Sequence, residues 1–349
     1  MNLKKKILYI LSVVLLFLNF STIINGIIIG DSNKNDNINQ DYEKNSKMEL
    51  NQLNDNVKIE YNEYGFGYKT GDFGSIRRQL YYQPMNFNGK EYEISNIGQL
   101  YWFSQEVNRG NIMIKKAKIK LLNDINFDLN LPSWEPIGQI FEDKKKSDEE
   151  YYLESYFEGE FDGCGHKIIG IRCIDPRKND VGLFGIIGAE GIVRNVTIER
   201  SFFQGNECVG AICGRNNGKI ENCVNTSYIL GKFGVGGIAG LYNEGQIINC
   251  NNNGMVVGED IIGGIVGLLL NKEEAEDNEI KRCKNFGEIR GKIDSVWVGG
   301  IIGVFAVDER NDSYEGKIYK ILLSCTDESG CYKGYLHIQR KLGQIIEIK

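Results

Sequence analysis

Near-copies of one glycine-spaced hexapeptide, spread through the second half of the chain, restrict the fold more than any other feature. They are Val181-Gly182-Leu183-Phe184-Gly185 (one residue shorter), Val209-Gly210-Ala211-Ile212-Cys213-Gly214, Val235-Gly236-Gly237-Ile238-Ala239-Gly240, Ile262-Gly263-Gly264-Ile265-Val266-Gly267 and Val298-Gly299-Gly300-Ile301-Ile302-Gly303. Their starts lie 28, 26, 27 and 36 residues apart. A repeat of this period marks a solenoid, in which each unit buries its apolar face only by stacking on its neighbours.

The unit from Val235 to Ile261 reads as one rung of an all-β, parallel β-helix-like solenoid with coils of about 27 residues. Val235 to Gly240, Gln246 to Cys250 and Met255 to Val257 form its three short strands. Leu241 to Gly245 and Asn251 to Gly254 turn between them, with Asn and Gly where the backbone needs positive φ. Equivalent positions then stack. Cys223, Cys250, Cys283 and Cys325 form a thiol column, read as free thiols because parallel stacking points neighbouring Cβ atoms the same way. Disulfides stay open as an alternative in an exported chain, since nine cysteines allow four pairs. Asn195, Asn222 and Asn249, each one residue before a column position, form an amide ladder that Arg282 and Ser324 end.

The 42 glycines against only 4 prolines suit many tight turns in a regular coil rather than a disordered linker. A net charge of −6 with no dense basic stripe argues against nucleic acid and against an anionic membrane surface. Residues 1–29 read as a signal peptide or signal anchor: Lys4-Lys5-Lys6 precede an apolar run from Ile7 to Phe20. Residues 30–60 have the composition of a flexible polar spacer. Residues 61–115 form an N-terminal cap region whose short helix starts at Ser95, carries Leu100, Phe103 and Val107 on one stripe and ends near Gly110. That helix either covers the first rung or packs on the side of the coil. The solenoid occupies 116–310, and 311–349 form a degenerate rung or cap whose open edge is a route to self-association.

The succession Leu121-Leu122-Asn123-Asp124-Ile125-Asn126-Phe127, Trp134-Glu135-Pro136-Ile137-Gly138, Phe157 to Ile171, Val181 to Gly185, and the recurring Val-Gly-Gly units resembles the GLUG-repeat proteins of bacterial surfaces. It is similar too to the N-terminal region of the immunoglobulin-A-cleaving metallopeptidases. The resemblance covers residues 92–325 and implies a right-handed parallel β-helix-like solenoid on an exported protein. The chain departs from the pattern at Cys164, where such segments carry Asn. It has no His-Glu-x-x-His and only two histidines, His166 and His337, so the peptidase activity does not transfer.

The remaining chemistry is sparse. Asp162 and His166, with Cys164 between them, are the tempting catalytic set, but no motif places a nucleophile and a base together, and Asp162 suits a turn-amide acceptor. Glu199, Glu207, Asp260 and Asp294 fall near rung edges without sharing a repeat phase. The acidic run Glu273 to Glu279 lacks the pattern of a calcium loop and reads as solvated. Trp102, Trp134 and Trp297 are candidate sugar platforms, with Trp134 better placed in the core. No catalytic, cofactor or metal residue is assigned. The expected function is a non-catalytic, secreted or surface-displayed, adhesin-like or structural solenoid, with a host, matrix or envelope glycan or protein as ligand and the membrane touched only through the N-terminal segment. The alternatives are a polysaccharide lyase or hydrolase with a cleft along the helix, and the remnant of a longer surface peptidase.

Overall fold

The computed structural model describes residues 59–61, 66–69, 81–127, 131–143, 151–242, 245–271, 279–291, 297–307, 325–327, 336–340 and 345–348. Residues 1–60 with 67–81 form one compact unit, and 61–66 with 82–349 the other. The second unit is the solenoid, and the following concerns it alone. The signal segment, the polar spacer apart from Ile59 and Glu60, and most of the acidic run Glu273 to Glu279 lie outside the described residues.

Coils of about 29 residues stack into a parallel β-solenoid of about six turns. Each wall is a parallel sheet running along the axis. One joins Tyr92–Ile94, Lys118–Leu121, Glu160–Asp162, Ile192–Arg194, Lys219–Glu221, Gln246–Ile248 and Glu279–Lys281. Its register is strict: Phe161 pairs with Val193, Val193 with Ile220, Ile220 with Ile247 and Ile247 with Ile280. All five of these side chains point inward and are buried. With a side-chain period of two, a slip of one residue would turn this whole column out to water.

The coil differs from the three-strand reading. Within the unit around Val235 there are five strand segments: Phe233–Gly236, Ala239–Tyr242, Gln246–Ile248, Asn251–Asn252 and Val256–Gly258. The continuous strand expected over Val235 to Gly240 is broken after Gly236, and its halves belong to different sheets. The left-handed corners fall elsewhere in the coil. Asp180, Cys208, Gly234 and Ile261 hold equivalent positions at φ 54°, 55°, 63° and 52°, and Asn195, Asn222, Asn249 and Arg282 do so at 55°, 54°, 54° and 53°. Each left-handed residue turns the chain sharply, and Gly, Asn and Asp do so at least cost, so buried, β-branched Ile261 is the most strained member.

Both ends of the stack carry an antiparallel strand. Asn86–Phe87 pairs antiparallel with Tyr92–Ile94 at the first coil. At the far end Leu336–Arg340 pairs in parallel with Ile302–Val307, and Ile345–Ile348 returns antiparallel to it. Helix α1, Ile97–Asn108, is capped by Asn96, whose side chain accepts from Gln99 N–H, rather than by Ser95. Ser95 instead donates its N–H and hydroxyl to Gln99 Oε1, so the cap is reciprocal. Leu100, Phe103 and Val107 are fully buried, and Phe103 meets Phe157, Phe161 and Phe184 at ring separations of 5.5, 6.1 and 6.4 Å. All three partners belong to early coils, so α1 closes the first coil's core.

Candidate functional site

The residues that repeat from coil to coil form three columns. Outermost is the ladder of left-handed asparagines. Asn195 Nδ2 donates to Asp162 Oδ1 at 3.0 Å, Asn222 Nδ2 to Asn195 Oδ1 at 3.1 Å, and Asn249 Nδ2 to Asn222 Oδ1 at 3.1 Å. Arg282 extends this ladder rather than ending it, for its Nε donates to Asn249 Oδ1 at 2.6 Å. A carboxylate only accepts and a guanidinium only donates, so the two ends fix the direction of every amide between them. The positive end of the amide row meets Asp162 and the negative end meets Arg282.

Next inward is the thiol column. Cys223, Cys250 and Cys283 are buried free thiols, Cys325 is buried in the same column, and the four Sγ atoms lie 3.3 to 3.9 Å from backbone carbonyls. Burial holds the Cys250 thiol well above its ordinary range, so it stays protonated. Two residues on comes a second ladder, its three amides fully buried, running the opposite way: Asn225 Nδ2 donates to Asn252 Oδ1, Asn252 Nδ2 to Asn285 Oδ1 and Asn285 Nδ2 to half-buried Asp327 Oδ1, each at 2.8 Å. Its amides also bond the backbone of their own coils, Asn252 Oδ1 taking Gly254 N–H at 3.1 Å. Sequence reasoning missed this ladder although its signal is present. Cys-x-Asn occurs at Cys223, Cys250 and Cys283, and Cys-x-Asp at Cys325.

The tempting catalytic set does not assemble. Asp162 accepts from Cys164 N–H at 2.8 Å and from Arg194 Nε at 2.9 Å, in addition to the ladder. Burial alone would raise its carboxyl, but the Asn195 amide, the Cys164 N–H and the Arg194 guanidinium outweigh it and hold the pKa low. His166 pairs elsewhere, its Nδ1 lying 3.2 Å from Asp124 Oδ1. The Cys164 thiol is exposed, and its pKa is raised by partial burial and by Asp162, the reverse of an activated nucleophile.

The edge carboxylates are separately engaged. Glu199 binds Lys167 at 2.8 Å, and Asp260 Oδ1 accepts from Ile261 N–H at 3.1 Å. Asp294 lies outside the described residues. Where two acids do converge they share a cation: Glu160 and Asp162 on Arg194 at 2.6 and 2.9 Å, Glu91 and Glu93 on Lys120 at 2.9 and 3.3 Å. Trp134 and Trp297 are 1% and 3% exposed, so neither offers a ring face to a sugar. Trp134 Nε1 instead donates to Leu183 O at 3.1 Å. Trp102 is only partly exposed.

One buried polar cluster was not foreseen. Both carboxylate oxygens of Asp180 accept from Arg215 Nη2 at 3.2 Å, and the Cys208 thiol bonds the same carboxylate. Desolvation pushes the Asp180 pKa up in spite of the guanidinium. Glu207 is also raised, by burial first and by Asp180 second. No contiguous signal betrays this cluster, since Asp180 and Arg215 stand 35 residues apart.

The fold is therefore that of an all-β parallel solenoid with stacked polar ladders. No family model matches the chain. A stretch of 140 residues, 40% of the chain, is 32% identical to "Halomucin" of Haloquadratum walsbyi, of which it spans 2%. Another of 110 residues, 30% of the chain, is 33% identical to the "Putative Gly-rich membrane protein" of Evansella cellulosilytica, of which it spans 11%. Among solved structures, a "putative immunoglobulin A1 protease" from Bacteroides ovatus superposes with a TM-score of 0.43 at 18% identity, over 77% of this chain and 82% of the other.

Proposed function

We propose that this chain is a non-catalytic solenoid displayed at or secreted from the cell surface, serving as an adhesin-like binding module or an envelope spacer. The observation that carries this reading is the engagement of the candidate groups. Asp162, Glu199 and Asp260 are each held by a cation, an amide or a backbone N–H, and the thiol beside Asp162, Cys164, has its pKa raised by partial burial and by that carboxylate rather than lowered. The partial similarities to Halomucin and to a Gly-rich membrane protein accord with an extracellular role.

The test combines location with turnover. Antibody labelling of intact and lysed producing cells, with assay of the medium, reads whether the chain is outside. Incubation of the purified chain with a polysaccharide panel, with and without calcium, reads newly formed sugar ends. The proposal expects labelling of intact cells or protein in the medium, and no new ends. New ends that vanish on replacing a lateral carboxylate would make the coil an enzyme scaffold instead.

A further inference from the structure

The solenoid's walls are chemically unlike on their outer faces. On the wall through Glu160–Asp162 the outward column alternates in sign, Glu93, Lys120, Asp162, Arg194 and Glu221 in successive coils. Its charges are neutralised along the axis by ion pairs. The wall through Arg172–Ile174, the second half of Thr197–Gln204, the second half of Val224–Leu230, and Val256–Gly258 carries apolar groups instead. There Arg172 pairs with Phe202, and Phe202 with Tyr228. Met255 follows, since Ile229 N–H donates to Met255 O, and Glu288 comes next, since Val256 N–H donates to Glu288 O. The adjacent outward column runs Ile174, Gln204, Leu230, Val257 and Arg290.

None of the side chains in these two columns is buried, Tyr228 being 36% and Ile174 39% exposed. The Phe202 and Tyr228 rings lie 5.3 Å apart, tilted by 54°. Arg172 at one end has an exposed side chain with no ion-pair partner among the described residues. At the other end Arg290 forks onto Glu288 at 2.5 and 3.0 Å. Successive rows stand one strand spacing apart, about 4.7–4.9 Å.

We infer that this strip binds an extended glycan strand lying along the solenoid axis, with pyranose faces on Phe202, Tyr228 and Leu230 and an oxygen-rich substituent on Arg172. This deepens the binding-module reading proposed above and rests on it. Three features choose the occupant. Five coils by two columns make a strip of roughly 300–400 Å² at that spacing, against about 800 Å² per partner in a stable protein interface. The two adjacent rings are flanked by hydrogen-bonding groups, Arg172 before Phe202 in the same column and Gln204 beside it in the next, which suits a ligand with apolar C–H faces and hydroxyl edges better than a lipid. Rows at a fixed pitch along the axis give an extended polymer a continuous strip of contacts over several coils.

The test is retention of the full chain in gels cast with neutral or uronate-bearing polysaccharides, comparing wild type with Phe202→Ala, Tyr228→Ala and the double variant. Lys219→Ala on the charged wall is the control, and thermal unfolding checks that each variant folds. The expected result is retention by wild type and the control, and loss of about tenfold in affinity for each ring, the size of a stacking contact. Retention on both gel types assigns Arg172 to hydroxyl oxygens, and retention on uronate alone assigns it to a carboxylate. Retention unchanged in a folded double variant would overturn this site while leaving a binding module elsewhere. Absence of wild-type retention on every gel would overturn the glycan inference and leave the spacer role standing. A concentration-dependent dimer, lost in Tyr228→Ala, would replace the glycan with a second copy.

Discussion

Gly237 and Asn252 face each other across the coil so closely that a Cβ on Gly237 would stand 2.4 Å from Asn252 Cγ and 2.3 Å from the carbonyl oxygen of Gly264. The relationship recurs. A Cβ on Gly264 would meet Asn285 Cγ at 2.4 Å, and one on Gly300 would meet Asp327 Oδ2 at 2.0 Å. In these three later coils the second glycine of the repeated hexapeptide thus lies against a member of the buried ladder, whereas the coil of Asn225 holds Ala211 at that position. Where Ile198 occupies the ladder register ahead of Asn225, the corresponding hexapeptide position holds Leu183.

Gly264→Ala is therefore expected to destabilise the chain by at least the 1–3 kcal/mol typical of overpacking, because a backbone oxygen 2.1 Å from the new methyl cannot move aside alone. Urea denaturation measures this. Asn285→Ala added to it should not restore stability, since the Gly300 carbonyl remains in place. Rescue by that second change would show that the ladder amide alone sets the clash.

The two ladders should differ in worth. Asn252→Ala leaves the Asn225 amide, the Asn285 carbonyl and Gly254 N–H without partners in a dry core, with an expected loss of about 2–4 kcal/mol. Asn222→Ala opens an exposed ladder and leaves at φ 54° an alanine, which lacks the polar side chain that lets Asn occupy the left-handed region, with an expected loss of about 1–2 kcal/mol. Asn222→Gly, which keeps the backbone free, should recover part of that. Equal losses at positions 222 and 252 would count against the distinction.

Much of this architecture was legible. The hexapeptide spacing gave the coil, and Asn-Cys at 222–223 and 249–250 gave two columns, because stacking repeats every coil at one register. What stayed hidden depends on orientation. The strand break after Gly236 follows from contacts across the core, which the period does not encode. Arg282 replaces an asparagine in sequence yet continues its ladder, since a guanidinium donates as an amide does. The tryptophans drew attention as sugar platforms because their type suits stacking, but Trp134 and Trp297 point inward, while the less conspicuous Phe202 and Tyr228 point out.

Thiol reactivity should separate the cysteines sharply. In the native chain a maleimide is expected to label Cys164, which is exposed, and to leave Cys223, Cys250 and Cys283 untouched until denaturant is added. Mass spectrometry of the labelled peptides reads this directly. Rapid native labelling at Cys250 would mean that the coils open locally.

The buried thiols also predict alkaline lability. Burial pushes Cys173 up to about 12, against an ordinary value of 9.0. Between those values the unfolded chain has lost the proton while the folded chain keeps it, so stability present below pH ~9 falls as pH rises. Cys173→Ala should flatten this slope in denaturation series taken from pH ~8 to ~11, and an unchanged slope would assign the lability to other groups.

The Asp180–Arg215 pair offers the sharpest test of buried charge. Arg215→Met leaves Asp180 desolvated without its guanidinium, an expected loss of about 3–5 kcal/mol at neutral pH. Because burial already raises the Asp180 pKa and the lost guanidinium had opposed that rise, the variant's stability should be greatest in acid. It should decline as pH climbs above ~4, through the range where the unfolded chain ionises and the folded one resists. Asp180→Asn in the same background keeps a side chain that tolerates φ 54° and removes the charge, so it should recover much of the loss at pH ~7 and abolish the decline. A single variant with pH-independent stability would instead mean that water reaches Asp180, and that the cluster is a solvated corner rather than part of the core.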